Sequence, residues 1–235
     1  MSRRLAIIPA RGGSKRIPRK NVRDFCGKPM IGHILETARD SGLFDVIHVS
    51  TEDAEVRREV ENLGFTIDFS RSSALADDQT PIMPVLKFVV DTYAGRGKTF
   101  DEVWLLMACA PFVDARDLRE AAEIFERAGG QRSVLAVAPY PVPVEWAYSR
   151  AADGSLTPMQ PGMFAVRSQD IEPKYYDTGT FAILSSESVR GSKGAGSDSD
   201  FLGYVIEKDK AIDIDDEADW QLAESMYHQR KNVRR

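Results

Sequence analysis

Cysteine is nearly absent from this chain: Cys26 and Cys109 are the only two in 235 residues, far apart, with neither a CxxC spacing nor a histidine at ligand distance. That excludes a disulfide framework, argues against a structural zinc site and fits a reducing compartment. Histidine is scarce as well. His33, His48 and His228 fall on a helix, in a strand and near the tail, where structural roles suit them better than proton transfer. No run of about 18 apolar residues exists, so no membrane span is expected. Met1-Ser2-Arg3-Arg4 leads into a four-residue apolar run without the core of a secretory signal, which makes the cytoplasm the expected compartment. A positive balance is missing too: the formal charge is −5, which speaks against a bulk nucleic-acid partner. Finally, the two familiar phosphate motifs, GxxxxGK[ST] and a GxGxxG opening a helix, do not occur.

The chain is otherwise that of an ordinary globular protein, 43% hydrophobic and 29% charged, long enough for one large core or one core with a small appendage. Against its acidic balance, Arg11, Lys15, Arg16, Arg19 and Lys20 crowd into ten residues of the stretch LAIIPARGGSKRIPRKN. Leu5 to Ile8 reads as a buried strand bounded by Pro9. Gly12-Gly13 predicts a tight turn with unshielded backbone amides. GKPMIGHILETA follows, with Met30, Ile31, Ile34, Leu35 and Ala38 at the spacing of a packed helix. A solvated loop is the plain alternative for such a charge run. Its position between strand and helix decides against that, because this is where phosphates meet backbone amides, and the implied partner is a polyphosphate.

Further along, Asp45–Thr51 predicts a strand, Asp53–Gly64 a helix and Phe65–Phe69 a third strand. That rhythm means a parallel sheet flanked by helices, with ligands beyond the carboxyl ends of its strands. Asp77-Asp78 reads as a polar turn before a helix over Met83–Tyr93. Glu102–Met107 is a buried strand, and Asp114–Ala128 a helix capped by Asp114 and closed by Gly129-Gly130. Ser133–Tyr140 is the next strand. Residues 141–176 are rich in proline, methionine and aromatics and predict an arm with little helix, either a lid or an interface. Phe181–Leu184 and Gly203–Glu207 return to the sheet around a small polar loop, Gly191–Asp200.

In the closing stretch, AIDIDDEADW, extended alternation puts Ile212 and Ile214 on one side and Asp213 and Asp215 on the other. Two carboxylates on one face can hold a partly hydrated divalent ion that completes its shell with phosphate oxygens, the habit of magnesium. Helix capping is the competing role for an acidic cluster. It suits Asp216, Glu217 and Asp219 at the start of a helix with apolar positions Trp220, Leu222, Ala223 and Met226.

Five stretches also carry a resemblance. IIPARGGSKRIPRKN followed by GKPMI resembles the opening motif of the CMP-sialic acid synthetase family, cytidylyltransferases that activate nine-carbon sialic-acid-like sugars. Arg71 to Asp78 is similar to that family's R-x-x-x-L-x-x-D segment, and Ile212 to Trp220 to its I-D-I-D-x-x-x-D-W metal motif. RSQDIEPKYYDTG resembles the branch acting on pseudaminic acid, as does Ala108-Cys109-Ala110-Pro111-Phe112, which replaces the glutamine-bearing turn of N-acetylneuraminate relatives.

The resemblance implies a three-layer α/β/α nucleotidyltransferase fold with a mainly parallel sheet, built from residues 1–140 and 178–235 with a dimerisation insertion at 141–177. It implies CMP transfer from CTP to the anomeric hydroxyl of a nonulosonic acid with release of pyrophosphate. Pseudaminic acid is the expected sugar, with N-acylneuraminate or legionaminate as alternatives; a non-catalytic nucleotide-binding protein is the alternative of another class. Carried over, Arg11, Gly12, Gly13, Ser14, Lys15 and Lys20 would hold the triphosphate, and Asn21, Arg71 and Thr80 the nucleoside. Arg167, Gln169, Tyr176 and Asp177 would meet the sugar, Arg167 clamping its carboxylate with two hydrogen bonds. Lys20, Asp213 and Asp215 would be catalytic, the two aspartates through magnesium, in a homodimer.

Overall fold

The computed structural model describes residues 2–77, 79–194 and 199–233; Asp78 and residues 195–198 of the small polar loop lie outside the described residues. The first strand, β1 (Arg4–Pro9), is apolar from Leu5 onward, as suits a strand covered on both faces. Ala6 and Ile8 pack on α1 (Met30–Ser41), α2 (Ala54–Asn62) and α4 (Ala115–Arg127). Leu5 and Ile7 point the other way, onto α3 (Ile82–Gly95) and Val189 of α5 (Ser186–Gly191). The result is the expected three-layer α/β/α arrangement.

The remaining strands are β2 (Asp24–Phe25), β3 (Lys28–Pro29), β4 (Val46–Ser50), β5 (Glu102–Leu106), β6 (Ser133–Pro139), β7 (Tyr148–Arg150), β8 (Leu156–Pro158), β9 (Tyr175–Ser185) and β10 (Phe201–Val205). Six of them form the central sheet in the order β10-β6-β9-β5-β1-β4. All neighbours are parallel except β9, which runs antiparallel between β5 and β6. Its direction matters for the site, since it brings Thr178 to Thr180, at the start of β9, beside the carboxyl end of β5, where the Met107 amide donates to the Thr180 carbonyl at 2.9 Å.

Three expectations need correcting. Phe65–Phe69 is not a strand: β4 closes the sheet, and the segment turns back onto α2, with the Phe65 amide on the Val60 carbonyl at 3.1 Å and Arg57 on the Ile67 carbonyl at 3.3 Å. Phe181–Leu184 is only the end of an eleven-residue strand, so the sheet resumes at Tyr175. Leu222 is 56% exposed on α6 (Glu217–Val233), whereas Trp220 and Ala223 are buried. The arm holds little helix, as expected: short turns and the β7–β8 hairpin. Among the described residues no helix is long and apolar enough to cross a membrane.

Candidate active site

A cavity of about 570 Å³ opens at the carboxyl ends of β1 and β5. Its walls come from the loop after β1 (Arg11, Ser14, Lys15, Arg16, Lys20, Asn21), from the segment leading into α3 (Arg71, Leu75, Asp77, Thr80, Ile82), from Met107 to Cys109, from Thr178 to Thr180, and from Asp213 and Asp215. Segments almost 200 residues apart in sequence thus share one space.

A small separate core joins them. Ile17 and Phe25 of the basic loop pack against Ile214, Trp220 and Ala223, all essentially inaccessible to solvent. Arg23 adds a two-pronged ion pair to Glu217, at 2.6 and 2.8 Å, while its guanidinium lies 4.4 Å from the centre of the Trp220 ring. Within this frame the Lys20 ammonium donates to the Ile214 carbonyl, and Arg16 meets Asp215 at 2.6 Å. The cations of one chain end and the carboxylates of the other therefore face each other across the cavity.

The glycine pair does not act as the sequence suggests. Neither Gly12 nor Gly13 has a positive φ, so the turn does not require left-handed backbone. Gly12 is needed for a different reason: a β-carbon there would lie 2.1 Å from a carboxylate oxygen of Asp53. Asp53 is itself fixed, capping α2 by accepting from the Glu55 and Val56 amides at 2.9 and 3.0 Å. Gly13 has open space where its β-carbon would be, which leaves room for a ligand against the backbone.

The amides are also less bare than predicted. The Gly12 amide donates to Glu52 at 2.9 Å, and the Ser14 amide to the Gly12 carbonyl at 3.1 Å. Glu52, which the sequence reading did not single out, binds the buried Arg71 with its other oxygen, at 2.6 and 3.1 Å. Its signal was position, directly after a parallel strand, where such folds gather ligand contacts.

Asn21 spans the floor: its amide nitrogen donates to the Arg11 carbonyl at 3.0 Å, and its oxygen lies 3.5 Å from the Cys109 sulfur. Burial pushes the Cys109 thiol up to about 11, so it is a neutral wall residue at ordinary pH. The Thr80 hydroxyl is engaged by Asp77 at 2.8 Å, and Asp77 also accepts from the Gln79 and Thr80 amides; the Thr80 bonds hold its carboxyl below the usual range.

Asp213 and Asp215 both line the cavity, and the acids that follow separate from them as expected. Asp216 accepts from the Ala218 and Asp219 amides, and Asp219 accepts in return from those of Asp215 and Asp216. Burial and the neighbouring Asp215 charge push the Asp213 carboxyl above its ordinary value. Among the described residues no group of three or more metal-ligating side chains converges, so a cation here would take only two protein carboxylates. The histidines stay outside the cavity. His33 contacts the Phe25 carbonyl at 2.9 Å, His48 is buried against Phe69 and Tyr93, and His228 lies 3.6 Å from the Cys26 sulfur.

The four residues expected at the sugar lie apart. Arg167 and Gln169 are exposed around a 3₁₀ turn of the arm, Ser168–Asp170. Tyr176 packs on Tyr140 with ring centres 5.1 Å apart, and Asp177 accepts from the Gly179 amide at 2.8 Å. None of them lines the cavity, although Thr178 to Thr180, next along β9, do.

Residues 5–140 match the profile of a family described as cytidylyltransferase. Over 229 residues the chain is 31% identical to the pseudaminic acid cytidylyltransferase of Campylobacter jejuni, covering 95% of each protein. It is also 31% identical over 228 residues to the CMP-N,N'-diacetyllegionaminic acid synthase of Legionella pneumophila, covering 94% of this chain and 95% of that one. Among solved structures, one of a CMP:2-keto-3-deoxy-manno-octonic acid synthetase complexed with CTP superposes with a TM-score of 0.72. That match spans 97% of this chain and 100% of the other at 16% identity, a likeness of fold.

Proposed function

The chain belongs to the cytidylyltransferase family, and from that premise we propose that it transfers CMP from CTP to the anomeric hydroxyl of a nine-carbon 2-keto sugar acid, releasing pyrophosphate, with pseudaminic acid as its preferred substrate. The observation that carries this reading is the single cavity in which the basic loop after β1 faces the Asp213 and Asp215 carboxylates. The attacking hydroxyl is tertiary and weakly nucleophilic, so catalysis rests on holding it in line with the α-phosphorus and on neutralising charge that grows on the leaving pyrophosphate. Arg11, Lys15 and Lys20, with the backbone at Gly13 and Ser14, would hold the triphosphate. Asn21, Arg71 and Thr80 border the space left for the nucleoside.

Asp213 and Asp215 fit a magnesium ion: two hard oxygen donors, one with its carboxyl pushed up by burial and by its neighbour's charge, beside a phosphate site that would supply further oxygens. Bound there, the ion would neutralise phosphate charge and favour ionisation of a nearby hydroxyl. Arg16, now on Asp215, would exchange that partner for the triphosphate.

Arg167, Gln169, Tyr176 and Asp177 are read as sugar contacts made across a homodimer, the arm of one subunit completing the cavity of its partner. Two observations support this: these residues stay outside their own chain's cavity, and the arm exposes Val142, Leu156, Met159 and Phe164 at 58 to 84%. The preference for pseudaminic acid rests on RSQDIEPKYYDTG together with the Campylobacter jejuni likeness. Incubation with CTP, magnesium and a panel of nonulosonic acids, read by mass detection of CMP-sugars, tests it. CMP-pseudaminate should dominate; a dominant CMP-legionaminate or CMP-N-acetylneuraminate would reassign the sugar, and CTP binding without any product would leave a nucleotide-binding protein.

A further inference from the structure

Residues 211–215 carry the paired carboxylates yet belong to no strand, so the sheet does not set their position. Their C-terminal side is held by Asp219, on the Asp215 and Asp216 amides, and their middle by buried Ile214. The N-terminal side ends on Lys210, which is 4% exposed and makes three short bonds: to Asp114 at 2.9 Å and to the two oxygens of Asp117 at 2.8 and 2.7 Å. Those aspartates form the reciprocal cap of α4, and Asp117 also accepts from the Tyr204 hydroxyl at 2.9 Å. Arg230 of α6 grips the same turn through Asp209 at 2.6 Å.

A buried lysine among carboxylates is a poor device for stability, since an apolar side chain of similar volume in an apolar site serves at least as well. What it supplies is a directed anchor, joining the residue just before the acidic segment to the rigid end of a helix. We propose that Lys210 is a positioning residue for the metal-holding carboxylates: with Asp114 and Asp117 it fixes the register of Ala211 to Asp215, and thereby the separation at which Asp213 and Asp215 present their oxygens. The inference rests on the reading of that aspartate pair as the metal site.

The test measures Mn²⁺ binding by electron paramagnetic resonance in the presence of CTP, together with the magnesium concentration giving half-maximal rate. Residues that orient metal ligands typically matter by 10- to 100-fold in affinity, so Lys210→Met should weaken Mn²⁺ and raise the magnesium requirement about tenfold or more, while CTP binding without metal changes less than about twofold. Excess magnesium should restore most of the turnover. Because Lys210→Met leaves Asp117 buried without its cation and can fail to fold, Asp114→Asn serves beside it: asparagine still caps α4 but turns away the lysine, and a smaller shift of the same kind is expected. Tyr204→Phe removes a bond from the same network without touching the turn; it should lower the melting temperature and leave the metal constants alone. Wild-type metal constants in folded Asp114→Asn or Lys210→Met protein overturn the proposal, as does a shift in Tyr204→Phe equal to theirs. Undiminished Mn²⁺ binding in Asp213→Ala would instead remove the aspartate pair from the site, and the role of Lys210 with it.

Discussion

Gly12→Ala isolates what the glycine is for. The new methyl would sit 2.1 Å from an oxygen and 2.7 Å from the carboxylate carbon of Asp53, distances no packing tolerates, so the carboxylate must leave its place. Leaving it breaks the cap on α2, worth about 0.5–2 kcal/mol, and the half-exposed pairing with Arg19 at 3.3 Å, worth little after solvent screening. Destabilisation of about 1–2 kcal/mol follows, roughly 2–8 °C in melting temperature for a chain of this size. The decisive variant is the double one. Glycine at position 53 costs a cap only a few tenths of a kcal/mol relative to a good one, and it removes the three atoms nearest the new methyl. Gly12→Ala with Asp53→Gly should then melt within about 0.5 kcal/mol of Asp53→Gly alone, a strongly non-additive result. Thermal denaturation of the four proteins by circular dichroism without nucleotide reads this directly. Additive losses, or a Gly12→Ala protein that melts like wild type, would refute the steric account and return the glycine to a backbone role.

Other outcomes follow from the same geometry. Lys20→Ala should lower turnover more than CTP binding, since its charge matters most as the transition state develops; a rise confined to the CTP Michaelis constant would make it a binding residue. His48, buried and pushed down to about 4 by loss of hydration, should erode stability as the pH falls. The unfolded chain takes that proton near 6.5 and the folded one only near 4, so up to about 3 kcal/mol disappears across that window and none above it, a slope that His48→Gln should flatten in pH-dependent urea melts. Arg167→Lys, which keeps the charge and loses the fork, should weaken the sugar about tenfold to a hundredfold while CTP binding holds. Mixing inactive Arg167→Ala and Asp213→Ala chains should restore activity toward about a quarter of wild type if the arm serves the partner's cavity, and no recovery in proven mixed dimers would place Arg167 in its own chain's site or outside it.

Much of this was legible because it is written locally. The apolar run at Leu5 to Ile8, the capping Asp114 and the alternation at Ile212 to Asp215 each depend on neighbours within a few positions. Phe65–Phe69 misled for the converse reason: a strand exists only where a partner strand accepts it, and β4 is the edge. β9 was seen only in its buried half, because Tyr175 to Gly179 carries the mixed burial of a strand leaving the core. Glu52 and Lys210 could not be weighted from the chain alone. A glutamate after a strand and a lysine before an aspartate are ordinary until folding brings Arg71 to the first and Asp117 to the second.

The charges themselves show why an acidic chain can carry a basic cradle. Arg16 rests on Asp215, Arg19 on Asp53 and Glu55, and Arg71 on Glu52, which also takes the Gly12 amide. If the triphosphate binds in this cavity as proposed, carboxylates stand in for its anionic oxygens, keeping a dense set of cations from repelling one another before a nucleotide arrives. Binding a triphosphate is then an exchange of anions rather than the filling of a bare positive hole, which lowers the net gain per cation and makes it depend on how easily each carboxylate withdraws. Glu52 is the hardest to move, because its two oxygens hold a backbone amide and a buried guanidinium at once. Lys20 is the contrary case: it donates to the neutral carbonyl of Ile214, in the same extended segment as Asp213 and Asp215. Its charge also steadies the nearby Asp213 carboxylate, so on the proposed reading it would turn toward a phosphate from a shared neighbourhood rather than from a closed ion pair, and that sets it apart from the arginines.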